Sequence, residues 1–110
     1  MPDQVQIIEV SPRDGIQNET KFLSLDTKLA LIEKAEAAGA ARIEVASFVN
    51  PRRVPQMADS DAVAAALPDD MRARRIGLAL NARGFERALA GGIDEVNFVV
   101  VASDTFNARN

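Results

Sequence analysis

The sequence predicts an α/β fold of parallel strands, and three observations lead there. Short apolar runs rich in β-branched residues alternate with stretches of helical periodicity, in the order β-α-β-α-β-α-β. Each helical stretch is closed by glycine or proline, and each strand-like run is followed by polar residues. No linker or low-complexity segment interrupts the 110 residues, which read as one domain, 1–110. Parallel strands of this order require helical crossovers, which are right-handed.

Residues 5–10 are rich in β-branched residues and are stopped by Ser11-Pro12, so they read as the first strand. The loop that follows sets a cation, an anion and a glycine side by side: Arg13, Asp14 and Gly15. Ser24 is a natural N-cap for a helix over 25–38, where Leu25, Leu29, Ile32 and Ala35 share a face. Gly39 suits its C′ position. Residues 42–46 form a second strand, and Pro55 keeps the following loop out of regular helix. Asp59 or Ser60 caps a second helix through residues 62–67, which Pro68 ends. The third strand is 76–80, with Asn81 just past its end, where a cap is its commoner role. A short third helix, 85–90, closes at Gly91-Gly92. Residues 95–101 are nearly continuous in apolar residues, as expected of a strand covered on both faces.

Two architectures suit this order: a small doubly wound sheet complete in itself, or the first half of an eight-stranded (β/α)8 barrel. Polar residues gather after every strand: Arg13 and Asp14, Ser47 and Asn50, Asn81, then Ser103 and Asp104. In a barrel these loops converge on one mouth, whereas an open sheet spreads them along an edge. Pattern alone leans only slightly to the barrel. The polar stretch 102–110 stops where a fourth helix is expected, so the domain is expected to be incomplete, with open strand edges that invite pairing.

Composition narrows the chemistry. Hydrophobic residues make up 47% and charged residues 26%, and no apolar run approaches a membrane span. Residues 1–4 lead almost directly into the first strand, leaving no room for a targeting segment, and a cytoplasmic location is expected. The net charge of -3 argues against nucleic acid as a partner. The chain has no cysteine and no histidine, which removes thiolate chemistry, the commonest general base and the commonest metal ligand. A metal held here has oxygen ligands, which suits magnesium or manganese better than zinc.

The phrase Ile8-Glu9-Val10-Ser11-Pro12-Arg13-Asp14-Gly15-Ile16-Gln17-Asn18-Glu19 resembles the opening of the 3-hydroxy-3-methylglutaryl-CoA lyases. These belong to the metal-dependent barrel lyases and synthases with an Arg-Asp-Gly signature after strand one. The resemblance continues through Ser47-Phe48-Val49-Asn50-Pro51, Val54-Pro55-Gln56-Met57, Asn81-Ala82-Arg83-Gly84-Phe85 and Glu95-Val96-Asn97-Phe98. Arg-Asp-Gly alone is a weak signal. Gln17-Asn18-Glu19 sharpens it, because the related isopropylmalate and homocitrate synthases usually carry Glu-Gln after the glycine.

The resemblance implies the N-terminal portion, about four βα units, of a pyruvate-carboxyltransferase-like barrel. The implied reaction is metal-assisted cleavage of 3-hydroxy-3-methylglutaryl-CoA to acetyl-CoA and acetoacetate, a step of leucine degradation and ketone-body metabolism. The implied cofactor is magnesium or manganese, the partner an acyl-CoA substrate, and the full-length protein a homo-oligomer. By position Arg13 is implied as a catalytic and substrate-binding cation, and Asp14 as a metal ligand. Glu44 is implied to support the site by fixing the arginine, and Gln17 and Ser47 to contact substrate. Read as residues alone, Arg13 and Asp14 also suit a surface pair around a turn, and Glu44 needs a partner, Arg42 or Arg13. The family completes its metal site with a His-x-His pair and an asparagine, and uses a late cysteine. None of these lies within the 110 residues, so the chain is not expected to catalyse the reaction unaided. A synthase or carboxyltransferase relative, or a non-catalytic half-barrel, are the alternatives.

Overall fold

Four strands, all parallel, form one sheet in the order β1-β2-β3-β4, with a helix packed between successive strands. The computed structural model describes residues 3–104. The elements are β1 (Ile8–Glu9), α1 (Asp14–Gln17), α2 (Leu25–Ala37), β2 (Arg42–Ser47), α3 (Ser60–Ala66), β3 (Arg74–Leu78), α4 (Ala82–Ala90) and β4 (Glu95–Asn97). A 3-10 turn at Pro55–Met57 precedes α3. Every crossover advances one place in the same direction. A doubly wound sheet reverses its strand order at a switch point, and this one has no reversal, so its progression is that of a barrel wall.

Helix α2 forms for local reasons. The Ser24 hydroxyl accepts the Thr27 N–H at 3.1 Å, and Gly39 leaves the helix at φ 103°, where a side chain would be strained. Ile32 is buried, and Leu25, Leu29 and Ala35 pack beside it. The main core joins Ile32 to Ile43, Val45 and Ala46 of β2, to Val63 and Ala64 of α3, and to Ala88 of α4. Consecutive Val45 and Ala46 both reach it because the β2–β3 register slips between Glu44 and Ala46, a bulge that breaks strict alternation.

Several boundaries differ from the sequence reading, most by a residue or two. Strand β1 keeps only Ile8–Glu9 of residues 5–10, because it has one neighbour, and Val5 and Ile7 are 89% and 81% exposed. Strand β3 begins at Arg74 and ends at Leu78, since its pairing with β2 starts at Arg42↔Arg74. Helix α4 starts at Ala82 rather than 85, because Asn81 Oδ1 accepts the Gly84 N–H at 2.8 Å. Strand β4 ends at Asn97, where its ladder with β3 ends. Phe98, Val99 and Val100 are exposed, so the two-sided cover expected over 95–101 is absent. Asp59 makes no capping bond to α3, and part of the stretch 102–110 lies outside the described residues.

At the N-terminal end of the sheet, Arg42 grips Glu95 with two bonds, 2.8 and 3.0 Å, and Arg74 adds a third at 3.2 Å. The Arg42 bond, with a smaller contribution from Arg74, lowers the Glu95 pKa from its ordinary value. A depressed folded-state pKa stabilises the fold fully above the ordinary carboxylate range, and this contribution is lost as pH falls through the lowered value. Glu9, lowered by the Ser11 N–H bond, acts in the same direction. Denaturant titrations across the acid range should therefore show Glu95→Gln with a shallower loss of stability than the wild type. Parallel acid limbs would remove Glu95 from the account.

Candidate active site

The Arg-Asp-Gly loop folds as one helical turn, α1, which four residues are too few to announce by periodicity. The Val10 carbonyl accepts N–H groups from Arg13, Asp14 and Gly15 at 3.1, 2.8 and 3.2 Å. Gly15 is helical rather than left-handed, and an added Cβ would meet the Ser11 Cβ at 3.2 Å. Buried Ile16 pins the turn against Val49 and Met57, a small second core beneath the loops.

This turn places Arg13 and Gln17 one helical step apart, and the Arg13 Nη1 group donates to Gln17 Oε1 at 3.1 Å. The same nitrogen lies 3.3 Å from Asp14 Oδ1. Arg13 Nε donates to Oε1 of Glu44, whose side chain is only 4% exposed. Of the two partners open to Glu44 from sequence, it is therefore Arg13 that it meets, while Arg42 is committed to Glu95 at the other end of the sheet. The second Glu44 oxygen, Oε2, accepts from Asn97 Nδ2 at 3.1 Å. A buried carboxylate thus has a donor on each oxygen, which it requires to remain charged away from water.

Arg13, Asp14, Gln17 and Glu44 are brought together at the C-terminal end of the sheet, where parallel α/β folds place their chemistry. Ser47, the last residue of β2, is fully buried and its Oγ has no hydrogen-bond partner among the described residues. Its backbone is held instead: Ser60 Oγ accepts the Ser47 N–H at 3.2 Å and lies 2.8 Å from the Ser47 carbonyl. A cavity of about 620 Å³ opens nearby, lined by Phe48, Asn50, Arg52, Asn81, Arg83 and Arg87 among others. None of Arg13, Asp14, Gln17 or Glu44 lines it.

Asp14 is largely exposed and offers one carboxylate. Among the described residues no group of three histidine, cysteine, aspartate or glutamate side chains converges on a point. These residues alone do not make a divalent-metal site, which needs several oxygen ligands. Sequence reasoning missed Asn97, although a lone carboxamide in an apolar run was the available signal. It also missed the brace of Lys28, Gln56 and Asp59.

The HMGL-like family matches residues 4–110. The chain belongs to the HMGL-like family. A 3-hydroxy-3-isohexenylglutaryl-CoA/hydroxymethylglutaryl-CoA lyase of Pseudomonas aeruginosa is 43% identical over 110 residues, 100% of this chain and 37% of the relative. The (R)-citramalyl-CoA lyase of Chloroflexus aurantiacus is 44% identical over 118 residues, 98% of this chain and 37% of the relative. Among solved structures, the Bacillus subtilis HMG-CoA lyase superposes with a TM-score of 0.91 at 38% identity, covering 99% of this chain and 37% of that one. An Acinetobacter baumannii HMG-CoA lyase, in complex with coenzyme A and 3-methylmalate, gives 0.90 at 36% identity over 96% and 34%. This HMGL-like chain thus spans 37% of the length of the first two relatives. Among the described residues no helix is long and apolar enough to cross a membrane.

Proposed function

We propose that the chain forms the first four strand–helix units of a barrel lyase that cleaves 3-hydroxy-3-methylglutaryl-CoA to acetyl-CoA and acetoacetate. The observation that carries the reading is the Arg13 guanidinium, fixed by buried Glu44 at the C-terminal end of the sheet and still 15% exposed. In the cleavage the tertiary hydroxyl loses its proton and becomes the ketone of acetoacetate. The carbon–carbon bond breaks, its electron pair passes toward the thioester oxygen, and the resulting enolate takes up a proton to give acetyl-CoA. A fixed cationic donor at that oxygen stabilises the charge where it develops, an effect of roughly 3 kcal/mol per donor.

In this reading Arg13 is that donor and Glu44 positions it. Gln17 holds the Nη1 side of the guanidinium, leaving Nη2 without an acceptor among the described residues. Asp14 would be an oxygen ligand to a magnesium or manganese ion, whose other ligands do not converge with it among the described residues. Ser47, substrate-contacting in this reading, is fully buried, and its hydroxyl has no hydrogen-bond partner among the described residues. This sequence holds no histidine or cysteine to act as proton acceptor, and in this reading the rest of the full-length protein supplies it. The relatives named as acyl-CoA lyases and the neighbour bound to coenzyme A support an acyl-CoA substrate.

The citramalyl-CoA lyase relative favours a second reading, the same bond cleavage with citramalyl-CoA as substrate. One experiment separates them. The full-length polypeptide carrying these residues, supplied with magnesium, is assayed for acetoacetate release from 3-hydroxy-3-methylglutaryl-CoA and for acetyl-CoA release from citramalyl-CoA. Acetoacetate release at the higher kcat/KM is expected. Preference for citramalyl-CoA selects the second reading, and turnover of neither discards both.

A further inference from the structure

We propose that Asn97 is a positioning residue for the Arg13 guanidinium, acting through Glu44; this rests on the lyase reading only for its catalytic consequence. Asn97 is the last residue of β4, and its backbone carbonyl accepts the Ala79 N–H at 3.0 Å, so its place at the end of the ladder is fixed. Glu44 lies on β2, two strands away, and parallel neighbours are spaced by roughly 4.8 Å. The Asn97–Glu44 bond therefore reaches over the whole width of β3, joining side chains from β2 and β4.

That reach has a consequence for Arg13. A glutamate held at one oxygen still rotates about its final torsion, carrying its partner with it. Glu44 is held at both oxygens, Oε1 by Arg13 and Oε2 by Asn97. The plane of the carboxylate is thereby set, and with it the direction from which Arg13 Nε must approach. Asn97 suits this task as no acid does, because its carboxamide presents an N–H to a carboxylate. Glu44, Arg13 and Asp14 are the charged groups in this chain of contacts.

The test uses the full-length polypeptide, in which the Arg13 Nε–H resonance is assigned by its loss in Arg13→Lys. In the wild type this proton, bonded to a buried carboxylate, is expected to be slow to exchange with water. Asn97→Ala should broaden or shift it and speed its exchange. Turnover should fall about tenfold or more in kcat with KM nearly unchanged, since the loss is one of orientation. Asn97→Asp should be at least as damaging, because it sets a like charge against Glu44, and circular dichroism confirms that each variant is folded. An unchanged Arg13 Nε–H resonance in folded Asn97→Ala overturns the inference. A resonance that responds, in a protein that cleaves no acyl-CoA, upholds the positioning and removes the lyase reading instead.

Discussion

Arg13→Ala in the full-length protein should lower kcat by about 100-fold to 1,000-fold, the range seen when one donor to a developing oxyanion is removed. The loss should fall on kcat more than on KM, because the charge that Arg13 meets is greatest in the transition state. The substitution also strips Glu44 of its cationic partner and leaves Oε1 unpaired in a side chain that is 4% exposed. Some stability is therefore lost with the activity, and the two effects need separating. Pairing Arg13→Ala with Glu44→Gln removes the uncompensated charge, so the double variant should regain most of the lost stability and none of the lost rate. Thermal melts and initial rates on the same four proteins complete the cycle. Retention of wild-type kcat by folded Arg13→Ala would refute the role given to this residue.

What could be read in advance was what neighbours in sequence decide. Helix α2 needed only Ser24, an apolar spacing and Gly39, all within one stretch of chain. The parallel class followed from alternation, because each strand had a helix beside it. The choice between barrel wall and doubly wound sheet did not follow, since strand order depends on where each crossover lands. Residues of the Arg-Asp-Gly loop were recognisable as a group, and the resemblance implied that Glu44 fixes Arg13, but the residues alone left Arg42 and Arg13 both open as its partner. Glu44 lies 31 residues from Arg13 and two from Arg42, and only the register of the sheet sends Arg42 to Glu95. Apolar character over 98–100 suggested strand, but a strand also needs a partner, and the β3 ladder stops at Leu78. Lys28 is an ordinary helix residue in sequence, and only long-range contacts, from the Gln56 carbonyl and from Asp59, make burial of its charge tolerable.

That buried lysine yields the largest expected effect on stability. Lys28 is 4% exposed, and its Nζ donates to the Gln56 carbonyl and to Asp59 Oδ1, the latter at 2.6 Å. Gln56 is itself buried, and its side chain accepts the Leu23 N–H at 3.0 Å and donates to the Lys21 carbonyl at 3.0 Å. One network thus ties residues 19–23, helix α2 and the turn on which Ile16 rests. Asp59→Ala leaves an ammonium group buried without its counter-charge, which costs about 3–5 kcal/mol where water is fully excluded. Asp59 is 31% exposed, so solvent recovers part of this and about 2 kcal/mol is expected. Lys28→Met removes the charge while keeping most of the volume, and should cost less than Asp59→Ala. In the double variant the penalty for the unpaired charge disappears, so its stability should exceed that of Asp59→Ala alone. Because the same network holds residues 19–23, Asp59→Ala should also speed amide exchange there and in α1, ahead of any change in the sheet. Additive losses in the double variant would mean that the ammonium is stabilised by the Gln56 carbonyl and water, with the carboxylate contributing nothing measurable.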